Sequence, residues 1–191
     1  MSKLVWKPGT MIYPLPAVMV SCGATPAEYN IITISWTGTI CTDPAMCYIS
    51  VRPERYSYNI IRQNGAYVIN LTTKKLAFAT DWCGVKSGKN HNKFEEMNLT
   101  PVPGTEVSAP MISESPVNIE CIVRDIKELG SHHMFISEVV AVNADAGLID
   151  EKTGHFRLSD SIPLCYSHGK YYETGSFIGK FGFSVEKLKK K

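Results

Sequence analysis

Two arginines and a serine lie close together at the start of a predicted helix. Arg52 and Arg55 follow a short apolar strand, and Ser57 can cap the helix. That helix ends near Asn64, with Gly65 in the left-handed position behind it. The first N–H groups of a helix lack partners within the helix, and together with guanidinium and hydroxyl groups they hold phosphate well. The segment therefore predicts an anion site, with a capped surface helix and two solvated arginines as the alternative.

A strand with a polar face precedes this segment in the chain. Over residues 30–36, apolar positions that include Ile34 and Trp36 alternate with Thr33 and Ser35. A second strand over residues 46–51 follows a Thr-Asp-Pro turn and carries Ser50 toward the arginines. Hydroxyl groups and an indole ring beside an anion site suit a phosphorylated cofactor that contains a ring system.

Two further segments could reach the same ligand. Residues 87–94 form a polar loop with Lys89 and Lys93, and Lys93 lies at the start of a predicted helix, where a cation is unfavourable. A bound anion would explain that lysine, and an exposed loop lysine is the alternative. His132 precedes a strongly apolar strand, where it can either donate to a ligand or remain solvated.

The elements that must position these side chains are mostly short strands. The predicted strands cover residues 17–22, 30–36, 46–51, 66–71, 117–124, 133–142, 164–166 and 170–173. The strand over residues 133–142 is nearly all apolar, which predicts burial on both of its faces. The predicted helices cover residues 57–64, 74–81 and 92–97. Many strands with a few short helices predict a mainly β protein, a β-barrel with peripheral helices, formed as one domain over residues 1–191.

Composition excludes several classes of function. A net charge of +2 over 191 residues gives no nucleic-acid-binding field. No segment has the apolar length of a membrane helix and no signal peptide is evident, so we expect a cytoplasmic protein that does not bind a membrane. The six cysteines form no C-x-x-C pair, which predicts free, mostly buried thiols and no metal site. The C-terminal lysines, Lys187, Lys189, Lys190 and Lys191, read as a frayed, solvated end.

Taken together, these segments resemble the flavin reductase-like family and, within it, the flavoredoxins, which are FMN-binding split β-barrels of Greek-key type. The resemblance spans roughly residues 15–172. It rests on the order and spacing of residues 30–37, Asp43-Pro44, residues 49–57, residues 65–71, residues 87–94 and the stretch that begins at His132. The chain has Ser57 where many relatives have Thr, and the hydroxyl group is retained.

The resemblance implies a role for each matching position in binding non-covalent FMN. The residues expected along the isoalloxazine ring and the ribityl chain are Asn30, Thr33, Ser35, Trp36 and Thr37. Those expected around the phosphate are Ser50, Val51, Arg52, Arg55 and Ser57. Those expected to close over the cofactor are Ser87, Gly88, Lys89, Lys93, His132 and Tyr166. Whether Lys93 and His132 contact the ring or the phosphate stays open.

Two functions follow from the resemblance. The first is a reductase that transfers hydride or electrons from NAD(P)H through bound FMN, and the alternative is an electron carrier between protein partners that does not oxidise NAD(P)H directly. Because the cofactor carries the chemistry, no catalytic side chain is predicted. The family further implies a homodimer with the flavin near the subunit interface, and either a nicotinamide donor or a redox protein as partner. A barrel that binds a different phosphorylated ligand would instead be colourless.

Overall fold

Antiparallel strands dominate the structure, a computed structural model that describes residues 1–185. The C-terminal lysines predicted to fray lie outside these residues. The strands are β1 (Leu15–Pro16), β2 (Val18–Cys22), β3 (Asn30–Ile34), β4 (Thr37–Thr42), β5 (Ala45–Val51), β6 (Ala66–Leu71), β7 (Pro101–Val102), β8 (Met111–Ile112), β9 (Val117–Leu129), β10 (His132–Ala144), β11 (Leu164–Ser167) and β12 (Lys170–Glu173). The helices are α1 (Tyr56–Asn64), α2 (Ala77–Val85) and α3 (Lys93–Glu96).

The main sheet has seven strands in the order β3-β2-β6-β9-β10-β5-β4, and every neighbouring pair is antiparallel. A second sheet has the order β1-β11-β12, and β7 pairs with β8. The helices are short: α1 lies between β5 and β6 in the chain, and α2 and α3 lie between β6 and β7. The prediction of a mainly β protein with a few short helices is confirmed.

The main sheet curls until its two edges approach each other. The edge strands β3 and β4 are consecutive in the chain, with only Ser35 and Trp36 between them. Three peptide units span at most about 11 Å, so Ile34 and Thr37 at the opposite edges must lie close together. The backbone N–H of Ser50 in β5 also donates to the Trp36 carbonyl, at 2.9 Å. The predicted strand over residues 30–36 is therefore too long, because the chain leaves one edge at Ser35 and joins the other at Thr37.

Two apolar cores fill the two sides of the main sheet. The inside of the curl contains a cluster that includes Val20, Ile49, Tyr67 and Phe135. The outside packs against α2 and α3 through a second cluster that includes Met19, Ile31, Cys83 and Phe94. The cysteines are free, as predicted, and four of them are buried: Cys22, Cys47, Cys83 and Cys121.

Two local predictions are wrong. Ser57 does not cap α1, because the N-cap is Arg55 and Ser57 lies buried in the first turn. The other end of α1 agrees with the sequence, since Gly65 has a φ of 66° and its N–H donates to the Ile61 carbonyl. Strand β10 is not buried on both faces, since only Phe135 and Ser137 in it are buried and its other residues keep some exposure.

The remaining predicted helices are present with shifted ends. The helix predicted over residues 74–81 begins as a 3-10 turn, Lys74–Leu76, and continues as α2 to Val85. Helix α3 begins after Asn92, whose side chain accepts the N–H of Glu95 at 3.4 Å. These two helices cover the outer core and hold the loop over residues 86–92 beside β3.

Candidate functional site

A pocket of about 300 Å³ lies where the edges of the curled sheet meet. We call it the aromatic pocket, because four of its lining side chains carry rings. Its walls come from the end of β3, the end of β5, the start of β10, β11 and the segment before β1. The lining residues are Tyr13, Ile32, Thr33, Ile34, Ser35, Trp36, Ser50, Val51, Arg52, Arg55, His132 and Tyr166.

A second pocket of about 190 Å³ adjoins the first at Ile32 and Arg55, which line both. We call it the basic pocket, because three of its side chains are cationic. It lies between the start of β3, the start of α1 and the loop before α3. The lining residues are Asn30, Ile32, Glu54, Arg55, Tyr56, Ser57, Lys86, Ser87, Gly88 and Lys93.

The first turn of α1 forms one wall of the basic pocket. Arg55 is the extended N-cap residue, and no side chain caps the helix. The Asn30 amide donates to the Ser57 hydroxyl at 2.7 Å, which fixes the orientation of that hydroxyl. The Arg55 guanidinium donates to the Gly84 carbonyl, so α2 holds it between the two pockets. A helix start with unpaired N–H groups, a fixed hydroxyl and a guanidinium forms a site suited to an anion.

Lys93 places a buried ammonium group in the same pocket. Its Nζ donates to the carbonyls of Ile31 at 2.6 Å and Cys83 at 2.7 Å, which uses two of its three N–H donors. Burial, assisted by the charge of Arg55, lowers the pKa of Lys93 to about 8. Among residues 1–185, no ion pair involves Lys93.

The thiols beside Lys93 do not neutralise its charge. Burial raises the pKa of Cys22 to about 12 and that of Cys83 to about 11, although the lysine charge works against both shifts. Both thiols therefore remain protonated at neutral pH. The ammonium of Lys93 has neutral carbonyls and thiols around it, so an anion in the basic pocket would be its counter-charge.

Gly88 closes the basic pocket from the loop side. A Cβ atom built on Gly88 would lie 2.0 Å from Oδ1 of Asn30, which is far inside contact distance. Only a glycine lets the loop backbone lie directly against the Asn30 amide. The loop therefore packs on the residue that orients Ser57.

Two pairs of ring side chains line the aromatic pocket. The rings of Trp36 and His132 are in contact, with centroids 4.3 Å apart and planes tilted by 43°. The second pair is Tyr13 and Tyr166, whose ring centroids lie 6.3 Å apart, and the Tyr13 ring also lies 4.3 Å from that of His168. Burial and the nearby Arg52 charge lower the pKa of His132, so its imidazole is neutral at pH 7. A planar ligand would find apolar ring surfaces and hydroxyl groups here, with little competing charge from His132.

The two arginines predicted to act together share only one of the two pockets. Arg55 lines both pockets, whereas Arg52 lines only the aromatic pocket and pairs with Glu54 at 3.0 Å. Ser50 and Val51 also lie in the aromatic pocket, and Asn30 lies in the basic pocket beside Ser57. The two pockets therefore group these residues differently from the sequence analysis, and which of them contact a ring or a phosphate stays a prediction.

All but two of the predicted site residues line one of these pockets. The exceptions are Thr37, whose hydroxyl donates to the Tyr48 carbonyl at 2.6 Å, and Lys89, which is exposed. The roles of the other residues toward a cofactor stay predictions. The lining residues that sequence reasoning missed are Tyr13, Ile32, Ile34, Glu54, Tyr56 and Lys86. All of these except Tyr13 are immediate neighbours of predicted residues in the chain, whereas nothing in the sequence points to Tyr13.

Comparison with known proteins assigns the family. The model of the "Flavin reductase like domain" matches residues 10–175, most of the chain. The chain therefore belongs to the flavin reductase-like family, as the resemblance predicted.

Within that family, the chain is similar to the flavoredoxin of Desulfovibrio vulgaris (Miyazaki F), with 29% identity and a TM-score of 0.89 over 97% of this chain and 100% of that one. The flavoredoxin from Methanosarcina acetivorans has the same fold, with 23% identity and a TM-score of 0.87 over the same shares of the two chains. An uncharacterized protein of Pyrococcus abyssi is 30% identical over 131 residues, which cover 69% of this chain and 74% of that protein.

The structure also bears on membrane insertion. No helix within residues 1–185 combines the length and the apolar character that crossing a bilayer would require.

Proposed function

We propose that this protein binds FMN non-covalently and transfers hydride or electrons from NAD(P)H through it. The observation that carries the proposal is the pair of adjoining pockets, one basic and one walled by rings, that share Arg55 and Ile32. Their combined size falls in the range of about 300–1,000 Å³ typical of ligand sites. The ligand that fits is one with a phosphate at one end and a planar ring system at the other.

The phosphate of FMN belongs in the basic pocket on grounds of charge. A phosphate monoester carries about −1.5 to −2 charges at pH 7. Arg55 and Lys93 supply two cationic groups, and the first turn of α1 adds N–H donors and the Ser57 hydroxyl. Burial of Lys93 makes its interaction with a phosphate stronger than a surface contact, because water screens it less. Lys93 is therefore assigned to the phosphate and not to the ring.

The isoalloxazine ring belongs in the aromatic pocket. Trp36 and His132 offer a ring surface on one side, and Thr33, Ser35 and Ser50 offer hydrogen-bonding groups along β3 and β5. The bound flavin would supply the hydride and electron chemistry, and the chain's residues would orient it and set its electrostatic surroundings. His132, neutral at pH 7, can donate a hydrogen bond to a ring heteroatom without adding a full charge.

A flavoredoxin-type electron carrier that does not oxidise NAD(P)H directly is the second candidate. The similarity to the Desulfovibrio vulgaris flavoredoxin over nearly the whole chain supports it. Both candidates use the same FMN site and differ only in what reaches the exposed face of the flavin.

The test is the visible spectrum of the purified protein, followed by anaerobic addition of NADH or NADPH. Flavin bands that bleach within seconds support the reductase. Bands that persist with NAD(P)H and bleach with dithionite support the carrier. A colourless protein that takes up no added FMN overturns the proposed function.

The FMN site itself is tested by substitution in the basic pocket. We expect the double variant Arg55→Gln, Ser57→Ala to weaken FMN binding by at least about 100-fold, because charge-assisted phosphate contacts are lost. Arg62→Gln is the matched control, since Arg62 lies on the same helix, is exposed and lines neither pocket. Equal affinity of the double variant and the control would remove the phosphate from this pocket.

We further propose a single domain and a homodimer. The half-exposed face of β10 supports the dimer, because its apolar residues there are only partly covered within one chain and Val142 is exposed. Exposed apolar side chains near both ends of the chain support it too, among them Trp6 and Phe177. A molar mass of twice 21.2 kDa in light scattering is the expected result, and a monomer at micromolar concentration would contradict it. A cytoplasmic location stays a prediction.

A further inference from the structure

Arg52 is a cation that the phosphate of FMN does not use. The basic pocket already contains Arg55 and Lys93 for the phosphate, and Arg52 lines only the aromatic pocket. An oxidised isoalloxazine ring is neutral, so it gives Arg52 no counter-charge. We propose that Arg52, with Tyr13 and Tyr166, binds a small planar molecule that carries a carboxylate on its ring, beside the flavin. The proposal rests on the proposed FMN site and names the class of substrate that this site admits.

The charges around the aromatic pocket favour an anion. Its lining residues within the described chain, 1–185, include two arginines and no carboxylate. The imidazole of His132 is kept neutral by burial and by the Arg52 charge, which lower its pKa. An anionic substituent entering this pocket meets attraction from Arg52, and the one carboxylate paired with Arg52, that of Glu54, lies outside the pocket lining.

The ion pair with Glu54 leaves most of the hydrogen-bonding capacity of Arg52 unused. Nη1 of Arg52 contacts Oε1 of Glu54 at 3.0 Å, with side chains that are 53% and 62% exposed. Such exposed pairs contribute little, so a ligand can compete with Glu54 for the guanidinium. A guanidinium has five N–H donors in a planar fork, and this contact engages one nitrogen. The remaining donors can bind a carboxylate in a bidentate manner.

The tyrosines supply the ring contact on a separate structural element. Tyr166 belongs to β11 of the small sheet, and Tyr13 precedes β1, which pairs with β11. This wall belongs to the small sheet and lines the same pocket as Trp36 and His132. A planar ligand can therefore stack between the flavin and this wall, with its carboxylate directed at Arg52.

Calorimetric titration of the FMN-loaded, oxidised protein tests the proposal without any turnover. The probes are 4-nitrobenzoate and 4-nitrobenzamide, which share shape and ring and differ in charge. We expect the carboxylate to bind about tenfold or more tightly than the amide, as one charge-assisted contact implies. Arg52→Gln should abolish that preference, and Glu54→Gln should increase the affinity for the carboxylate because a competitor is removed. Arg62→Gln, the control used above, should change neither affinity.

Three results would overturn the inference. The first is equal affinity for the two probes in the unmodified protein. The second is a loss of FMN affinity in Arg52→Gln as large as that in the basic-pocket variant, since Arg52 would then bind the phosphate. The third is binding of oxidised NADP⁺ that depends on Arg52 while binding of 4-nitrobenzoate does not, which would assign Arg52 to a nucleotide phosphate. Normal FMN uptake together with any of these outcomes leaves the proposed function standing, whereas absence of FMN uptake overturns both.

Discussion

Lys93 and Glu120 are both charged and almost fully buried, at 3% and 0% exposure, but the fold surrounds them very differently. Lys93 lies at the start of α3 and faces the basic pocket, with two carbonyls as its acceptors. Glu120 lies near the start of β9 and faces a loop of the same chain. One charge is only partly satisfied by protein atoms, and the other is fully satisfied.

The carboxylate of Glu120 accepts four hydrogen bonds. Oε1 accepts from the N–H of Thr105 at 2.8 Å and the Asn143 amide at 2.7 Å, and Oε2 accepts from the N–H groups of Glu106 at 2.7 Å and Val107 at 2.9 Å. Burial opposes ionisation, but these donors outweigh it and lower the pKa of Glu120 below its ordinary value. The side chain thereby fastens the loop before β8 to the main sheet.

The pKa values of Lys93 and Glu120 are both lowered, but the two shifts have opposite consequences for the charged form of each group. A lowered carboxyl pKa means that the charged form is stabilised, whereas a lowered ammonium pKa means that the charged form is disfavoured. Glu120 therefore contributes to folding as a charge, and Lys93 retains a charge that the fold alone does not favour. A buried charge with unused hydrogen-bonding capacity at a pocket indicates a ligand, whereas one with all its sites filled indicates structure.

The largest expected effect comes from removing the charge of Glu120, which accepts four hydrogen bonds. Glu120→Gln should lower the free energy of unfolding by about 2–4 kcal/mol, because an amide cannot accept from all four donors and leaves buried N–H groups unpaired. Urea denaturation at pH 7 measures it. Glu114→Gln is the control, since that exposed carboxylate accepts only the N–H of Thr100 and should change stability by less than about 1 kcal/mol. Similar losses of unfolding free energy in Glu120→Gln and Glu114→Gln would contradict a stabilising role for the buried Glu120 charge.

Removing the charge of Lys93 should weaken FMN binding more than it destabilises the fold. Lys93→Met should raise the dissociation constant of FMN by about 10- to 100-fold, since a charge-assisted phosphate contact is lost. Fluorescence titration measures the affinity, and Lys89→Met is the control because Lys89 is exposed and lines neither pocket. The midpoint potential of the bound flavin should stay unchanged in Lys93→Met. A lowered potential with unchanged affinity would place Lys93 at the ring instead.

The pH dependence of FMN binding tests the role of the Lys93 charge in a second way. Burial lowers the pKa of Lys93 in the free protein to about 8, and a bound phosphate favours its charged form. Above pH 8 the free protein must therefore take up a proton when it binds FMN, so affinity should fall by up to about tenfold per pH unit. Between about pH 7 and 8, where the phosphate is dianionic, the affinity should change little. Lys93→Met should show no fall above pH 8, and a persistent fall in that variant would assign the titration to another group.

The smallest expected effect tests how closely the loop must approach Asn30. Gly88→Ala places a Cβ against Oδ1 of Asn30, at a built distance of 2.0 Å, so the loop or the amide must move. Overpacking of this kind costs about 1 kcal/mol or more. If the displaced Asn30 no longer orients Ser57, a cost of that size corresponds to roughly a 3- to 10-fold loss of FMN affinity. Gly147→Ala is the control, because a Cβ there meets nothing within 4 Å. Unchanged FMN affinity in Gly88→Ala would show that the amide can shift freely.

Local patterns in the sequence were sufficient for most of the elements. Short apolar runs rich in β-branched residues identified β2, β5 and β6. Alternation of apolar and polar residues identified β3 and the start of β9, because successive side chains of a strand point to opposite faces. Gly65 marked the end of α1, since its left-handed conformation is one that glycine adopts readily. The Asp43-Pro44 turn between β4 and β5 was also evident. Strand β4 itself was missed, because its exposed Thr and Gly residues carry no apolar repeat.

The site could be predicted as a set of residues but not as an arrangement. Hydroxyl and cationic side chains near helix starts identified Arg55, Ser57 and Lys93 as candidates, the family resemblance added Asn30, and these four do meet in the basic pocket. That Arg55 also reaches the basic pocket whereas Arg52 does not was invisible in the sequence, because two residues three positions apart can point to one ligand or to two.

Sequence by itself determined that this chain forms many short strands, few helices and a helix start with cationic and hydroxyl side chains, since each depends on neighbouring residues. Only the tertiary structure decided that the opposite edges of the sheet meet at Ser35 and Trp36, that Tyr13 joins the aromatic pocket, and that Lys93 is buried with two backbone carbonyls as its acceptors. These features depend on contacts between residues distant in the chain. Side-chain type and local spacing carry no information about which distant groups will share a pocket.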